Sequence, residues 1–113
     1  MKHITFSDKS LMSGDEVVDL LLEYAAALAR TSDADTVDIS AISSDGDEVI
    51  ATFLLDAGAP LMAETTNSTL PEPDNAEAIA YMRERMQRLT RTQAHATDDE
   101  DEGRQSFEDE FGL

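Results

Sequence analysis

The side chains in this chain that could do acid–base or metal chemistry are almost all carboxylates. There are 25 acidic residues, two histidines and no cysteines. The absence of cysteine excludes thiolate nucleophiles, disulfides and zinc or iron–sulfur sites built from cysteine. His3 stands at the N-terminus and His95 in a polar C-terminal segment, so their positions favour solvated side chains over a catalytic pair.

Two carboxylate clusters come close to known sites without matching them. Asp33-Ala34-Asp35 has the spacing that opens an EF-hand loop, but Asp38 stands where that loop needs Gly and Ser44 where it needs Glu. The acidic residues around Asp45-Gly46 suit a turn better than general acid–base catalysis. The five glycines are too dispersed for a phosphate-binding loop. We therefore predict no enzyme, no catalytic residue, no metal site and no cofactor.

The charge of the chain limits the partners that it can take. With 25 acidic and 8 basic side chains, the net charge is -17. This charge disfavours direct binding to a nucleic-acid backbone or to an anionic membrane, because both surfaces are negative. It favours a basic protein partner, and the alternative is a surface whose charge serves only solubility. No apolar run reaches the length of a membrane span or a signal peptide, so we expect a cytoplasmic protein.

The apolar pattern predicts one small α+β domain over residues 1–92. Alternation predicts a strand over residues 2–7, and Ser13-Gly14-Asp15-Glu16 has the capping-box spacing that begins a helix. Two more strands follow around the Asp45-Gly46 turn, and a further short strand is expected over residues 61–65. Asp74 is the predicted N-cap of a second helix, which ends near Arg91. The predicted order is β-α-β-β-β-α.

Two registers are available for the hairpin around Asp45-Gly46. A two-residue loop would place Phe53 beside Asp38, which mixes core and solvent on one face. A three-residue loop with Gly46 at positive φ places Phe53 opposite Val37 on a wholly apolar face. We predict the second register, with Phe53 facing the core and Leu54 facing solvent.

The C-terminal segment, residues 93–113, is predicted to be a disordered acidic tail. Its block of five acidic residues at 98–102 favours solvation over packing. The tail nevertheless keeps Phe107, Phe111 and Leu113, which would suit a partner's groove. The alternative is that these residues fold back onto the domain.

The second helix holds half of the basic residues, four of eight. Arg83, Arg85 and Arg88 could form a docking surface, for a partner or for the tail. The alternative is that they complement the helix dipole and pair with neighbouring carboxylates.

Two stretches, residues 53–66 and 70–85, resemble small uncharacterised acidic proteins of high-GC Gram-positive bacteria, and the resemblance extends over residues 1–90. It implies a bacterial cytoplasmic origin and no chemistry. The predicted element order is also similar to the ribosome hibernation factor domain and, in part, to the double-stranded-RNA-binding domain, but both use basic surfaces.

The leading functional hypothesis is a non-enzymatic interaction or regulatory protein that binds a protein partner with a basic or grooved surface. The alternatives are a small-ligand-binding or enzymatic domain and a nucleic-acid mimic. The oligomeric state stays open.

Overall fold

The computed structural model describes the backbone of residues 1–58 and 60–101, and the side chains of that set up to residue 91. The fold is α+β, as predicted, with two helices and one antiparallel sheet of five strands in the order β4-β3-β2-β1-β5. The elements are β1 (Lys2–Phe6), β2 (Lys9–Ser13), α1 (Asp15–Arg30), β3 (Asp35–Ile42), β4 (Glu48–Leu55), β5 (Leu61–Thr65) and α2 (Ala76–Asp101). The sheet, α1 and the start of α2 as far as Arg83 form one compact unit.

Strand β2 is absent from the predicted order. It pairs with β1 across a tight turn at Ser7 and Asp8, with Phe6 opposite Lys9 and Ser7 at a φ of 58°. The turn holds neither Gly nor Pro, so the usual sequence signal of a hairpin is missing. The extra strand changes the order on which the likeness to the two RNA-binding domains depended.

The capping box predicted at the start of α1 is wrong. Ser13 is the last residue of β2, and Gly14 is the N-cap without a side-chain hydrogen bond. The Ser13 hydroxyl instead donates to the Ser40 carbonyl oxygen at 2.8 Å. Ser13 is fully buried, so pairing that carbonyl takes precedence over capping a helix amide that water can reach.

The predicted register of the β3–β4 hairpin is confirmed. Val37 pairs with Phe53, Ile39 with Ala51, and Gly46 has a φ of 93°. Phe53 is 6% exposed and Leu54 is 58% exposed.

The sheet is strongly bent at the junction of β2 and β3, where the two strands share only the pair Met12–Ile42. In a flat sheet with these registers, Phe6 would lie three residues to one side of that pair and Phe53 five residues to the other, roughly 25 Å apart along the strands. Their ring centroids are instead 6.1 Å apart. The two halves of the sheet, β1–β2–β5 and β3–β4, therefore face each other.

The core is formed by the apolar stripe of α1 and the inward residues of the strands. The predicted helical periodicity is confirmed, and the described core also takes one residue of α2. Its members with at most 2% exposure are Ile4, Val17, Val18, Leu21, Tyr24, Leu28, Val37, Ile39, Ala41, Leu55 and Met82.

Helix α2 begins at Ala76, one residue later than a cap at Asp74 predicts, and ends later than predicted. The Asp74 carboxylate accepts a hydrogen bond from the Ala76 amide at 3.0 Å. The helix is described as far as Asp101, past the predicted end near Arg91. After Pro73 the first strong helix breaker in the sequence is Gly103, which explains why the acidic block alone does not end it. Residues 102–113 lie outside the described part of the chain. No helix in that described part is long and apolar enough to cross a membrane.

Candidate binding cleft beside strand β4

Strand β4 forms one border of the sheet and, among the described strands, pairs only with β3. In an antiparallel ladder, hydrogen-bonded and non-hydrogen-bonded pairs alternate. The Ser43 amide donates to the Asp47 carbonyl at 2.8 Å, which identifies Ser43–Asp47 as a hydrogen-bonded pair at the hairpin end. Counting from that pair, the backbone groups of Ile50, Thr52 and Leu54 point away from β3.

The environment of Ser40 supports this assignment of inward and outward backbone groups. Ser40 lies opposite Ile50, so its N–H and C=O should also point away from the β3–β4 ladder. The Ser40 amide indeed donates to the Asn75 side-chain oxygen at 2.7 Å, and its carbonyl accepts from the Asn75 side-chain nitrogen at 2.8 Å. The backbone groups of β4 at the even-numbered positions therefore form an open edge.

A cleft of about 550 Å³ borders this edge. Four consecutive residues of β4, 51–54, line it. Side chains alternate between the two faces of a strand, so four consecutive residues can line one cleft only if the cleft runs beside the edge of the strand. The outward N–H and C=O groups of Thr52 and Leu54 are therefore accessible from the cleft.

The opposite wall comes from the β1–β2 hairpin and is mainly apolar. Ile4, Phe6 and Leu11 line it, and the edge-on contact between Phe6 and Phe53 joins the two walls. This juxtaposition exists only because the sheet bends at Met12–Ile42. The segment after β4 contributes Asp56, Gly58 and Pro60 to the lining.

Two titratable side chains belong to the described lining, Lys9 and Asp56. The Asp56 carboxylate accepts a hydrogen bond from the Gly58 amide at 2.9 Å, which fixes the turn after β4. The pKa of Asp45 lies below its ordinary value, mainly because the Ser43 hydroxyl and the Asp47 amide donate hydrogen bonds to it, with the charge of Lys9 as a smaller cause.

The outer face of β4 combines exposed apolar side chains with carboxylates. Ile50 is 74% exposed and Leu54 is 58% exposed. Between them, the Thr52 hydroxyl donates to the Asp38 carboxylate of β3 at 2.7 Å. Glu48, at the start of the strand, is exposed on the same face by alternation.

Asn75 and Ser13 close the edge that β3 exposes where β2 ends. Besides its two bonds to Ser40, the Asn75 side-chain nitrogen donates to the Ser13 hydroxyl at 3.1 Å. Asn75 is 8% exposed and Ser13 is fully buried. The amide of Asn75 thus takes the place of a neighbouring strand. Sequence reasoning missed this role, because it assigned the cap to Asp74 and no local pattern links Asn75 with a carbonyl 35 residues away.

The two tyrosines of the chain converge on one carboxylate, away from the cleft. Tyr24 of α1 and Tyr81 of α2 both donate to Asp35 Oδ2, at 2.5 and 2.6 Å. Asp35 Oδ1 accepts from the Thr36 amide at 2.8 Å. None of the three side chains lines the cleft, so this cluster connects α1, β3 and α2 and adds nothing to the candidate site.

The three arginines predicted to bind a partner do not line this cleft. Arg83 forms a salt bridge with Glu16, and Arg88 pairs with Glu84 one helical turn away at 3.0 Å. Arg85 is half-buried. These ion pairs agree with the alternative that the arginines pair with neighbouring carboxylates, and a binding role for them stays a prediction. Phe107, Phe111 and Leu113 lie outside the described residues.

No family model, curated protein or solved structure matches the chain. Among the described side chains, no group of three or more histidines or carboxylates is placed to hold a metal ion. The functional argument therefore depends on the cleft and the edge beside it.

Proposed function

We propose that this protein is a non-enzymatic interaction protein that binds an extended segment of a protein partner in the cleft beside β4. The observation that carries the proposal is the coincidence of a mainly apolar cleft with the open backbone edge of residues 51–54. Either feature alone would be common. Together they offer hydrogen-bonding groups and apolar contacts to the same extended chain.

Strand addition explains how such a site would work. An incoming strand gains affinity from main-chain hydrogen bonds to the edge, and specificity from the surfaces that its alternate side chains meet. Here one set of side chains would meet Phe6, Leu11 and Phe53. The volume of about 550 Å³ is within the range of ~300–1,000 Å³ that is typical of ligand sites.

A small apolar ligand is the second candidate, since the lining is mainly apolar. An enzymatic role has less support, because Lys9 and Asp56 are the only titratable side chains in the described lining and Asp56 is held in a turn. The peptide hypothesis and the small-ligand hypothesis are distinguished by which kind of probe binds. A small-ligand site would bind an apolar dye and select no peptide.

Peptide display against the full-length chain tests the proposal. Binders should be selected, and their affinity should fall by at least about tenfold, or about 1.4 kcal/mol, in Leu54→Asn, which removes an apolar side chain that lines the cleft. Met62→Asn is the matched control, because Met62 is 53% exposed on a strand at the other border of the sheet and does not line the cleft. Equal effects of the two substitutions, or no selected peptide, would contradict the proposal.

The tail hypothesis is tested in the same assay. Replacing Phe107 and Phe111 with Ala in the full-length chain alters none of the described residues that line the cleft. If the double substitution, and not Leu54→Asn, removes binding of the selected peptides, the tail rather than the cleft is the docking element.

A further inference from the structure

We infer that the cleft selects an extended segment in which apolar residues alternate with Lys or Arg. This inference rests on the proposed function and adds the chemistry of the partner. It follows from what the two faces of an added strand would meet.

The inner face of an added strand would meet apolar side chains. Phe6 and Leu11 stand across the cleft, and Phe53 lies on the inner face of β4. Every second side chain of the incoming segment would point to this wall. Burial of apolar side chains is favourable there, whereas a charged side chain would lose its hydration.

The outer face would meet a different surface. The side chains of Ile50 and Leu54 are exposed there. On the same face, Asp38 pairs with Thr52, which stands between them, and Glu48 precedes Ile50 by two residues. Lys and Arg carry long apolar stems with a cation at the end. Their stems would cover Ile50 and Leu54 while the cation reaches a carboxylate. An acidic side chain at the same place would meet like charge.

The charge of the whole chain decides between a partner and a second copy. A second copy presenting its own β4 edge would bring the same carboxylates and another net charge of -17 to the contact. Like charges at an interface oppose association, and a basic segment is attracted from a distance. The favoured occupant is therefore a basic segment of another protein.

Three synthetic eight-residue peptides, blocked at both ends, test this inference on the full-length chain. One alternates Val and Lys, one alternates Val and Glu, and one places four Lys before four Val. The alternating Val–Lys peptide should bind at least about tenfold more tightly than the block peptide of equal charge, because only alternation presents one apolar face. The Val–Glu peptide should not bind. Equal binding of the two Lys peptides would show that charge alone determines binding, and would overturn the inference.

Alternate N-methylation of the Val–Lys peptide tests strand pairing. In an added strand, one set of alternate amides faces β4 and the other faces away. Methylation of the Val amides and methylation of the Lys amides should therefore differ, with one set abolishing binding and the other tolerated. Equal effects of the two sets would exclude pairing with the edge.

Asp38→Asn tests the outer face and has a matched control. Asn keeps an oxygen for the Thr52 hydroxyl but removes the charge, so affinity for the Val–Lys peptide should fall several-fold, and less at high salt. Glu23→Gln removes one exposed charge from α1 and should leave the affinity unchanged. Equal losses in both variants would indicate only a general effect of net charge.

These outcomes are distinguishable from failure of the proposed function. If displayed peptides bind through Leu54 but are neither basic nor alternating, the inference is wrong and the proposed function stands. If neither displayed nor synthetic peptides bind, both are wrong. Sedimentation equilibrium should give a monomer, and a dimer that Leu54→Asn dissociates would identify a second copy as the occupant instead.

Discussion

The edge of β3 at Ser40 and the edge of β4 are the same kind of surface, yet the first is covered and the second is open. At Ser40, Asn75 and Ser13 make hydrogen bonds to the outward backbone groups. At β4, no hydrogen bond from the described residues reaches the outward groups of residues 50, 52 and 54. Unpaired edges invite association, and proteins usually cover or shorten them. The difference shows that this fold can close an edge with side chains, and that β4 lacks such a closure.

The border formed by β5 also differs from the open edge of β4. β5 is five residues long and includes Glu64, both of which discourage pairing. β4 is eight residues long and exposes Ile50 and Leu54. The two borders of one sheet therefore differ in length, and β4 exposes two large apolar side chains where β5 exposes one, Met62.

The largest expected effect concerns the two sides of β4 itself. Phe53→Ala should lower the free energy of unfolding by ~3–5 kcal/mol, because the ring is buried against Phe6 and the core. Leu54→Ala should cost less than about 1 kcal/mol, since that side chain is mostly exposed. Urea melts of the two variants give both values. Reversed costs would mean that Leu54 anchors β4 and that its edge is not free for a partner.

The next effect concerns the closed edge. Asn75→Ala removes two hydrogen bonds, one from the Ser40 amide and one to the Ser40 carbonyl. The free energy of unfolding should therefore fall by about 2–4 kcal/mol. Thr52→Val is the control at the open edge, where it removes an exposed hydroxyl and should cost less than about 0.5 kcal/mol. Thermal or urea unfolding measures both. Similar costs would remove the distinction between the two edges.

A smaller effect should come from Ser13. Ser13→Ala removes a buried hydroxyl, but the hydrogen bonds between Asn75 and Ser40 remain. We therefore expect the free energy of unfolding to fall by about 1 kcal/mol. The double variant with Asn75→Ala should not be additive, because the two side chains share one carbonyl. A double-mutant cycle with a coupling energy near zero would show that Ser13 and Asn75 act separately.

The smallest effect lies at the hairpin turn that starts β4. Asp45 has a folded-state pKa below its ordinary value of 3.8, so its contribution to stability is present above that value and is lost as the pH falls through the lowered pKa. Ser43→Ala removes the largest cause and should move the pKa of Asp45 back toward 3.8. NMR titration of the side-chain carboxyl measures the shift. No change would assign the lowered pKa to the Asp47 amide instead.

The local and periodic features of this protein could be predicted from its sequence. Alternation and the Asp45-Gly46 turn were enough to predict the register of β3 and β4, with Phe53 inward. The three–four spacing predicted α1, and Asp74 predicted the start of α2 to within one residue. Each of these depends on residues close in sequence, whose backbone geometry limits the choices to a few.

Only the tertiary structure decided the cleft. It needs the missed strand β2, the bend at Met12–Ile42 and the approach of Phe6 to Phe53, which are separated by most of the sheet. The role of Ser13 was likewise set by a carbonyl 27 residues away, which outcompeted a local cap. The sequence pattern identifies which residues share a face, but long-range pairing determines which strand edges are covered, and here it leaves the edge of β4 uncovered beside an apolar wall.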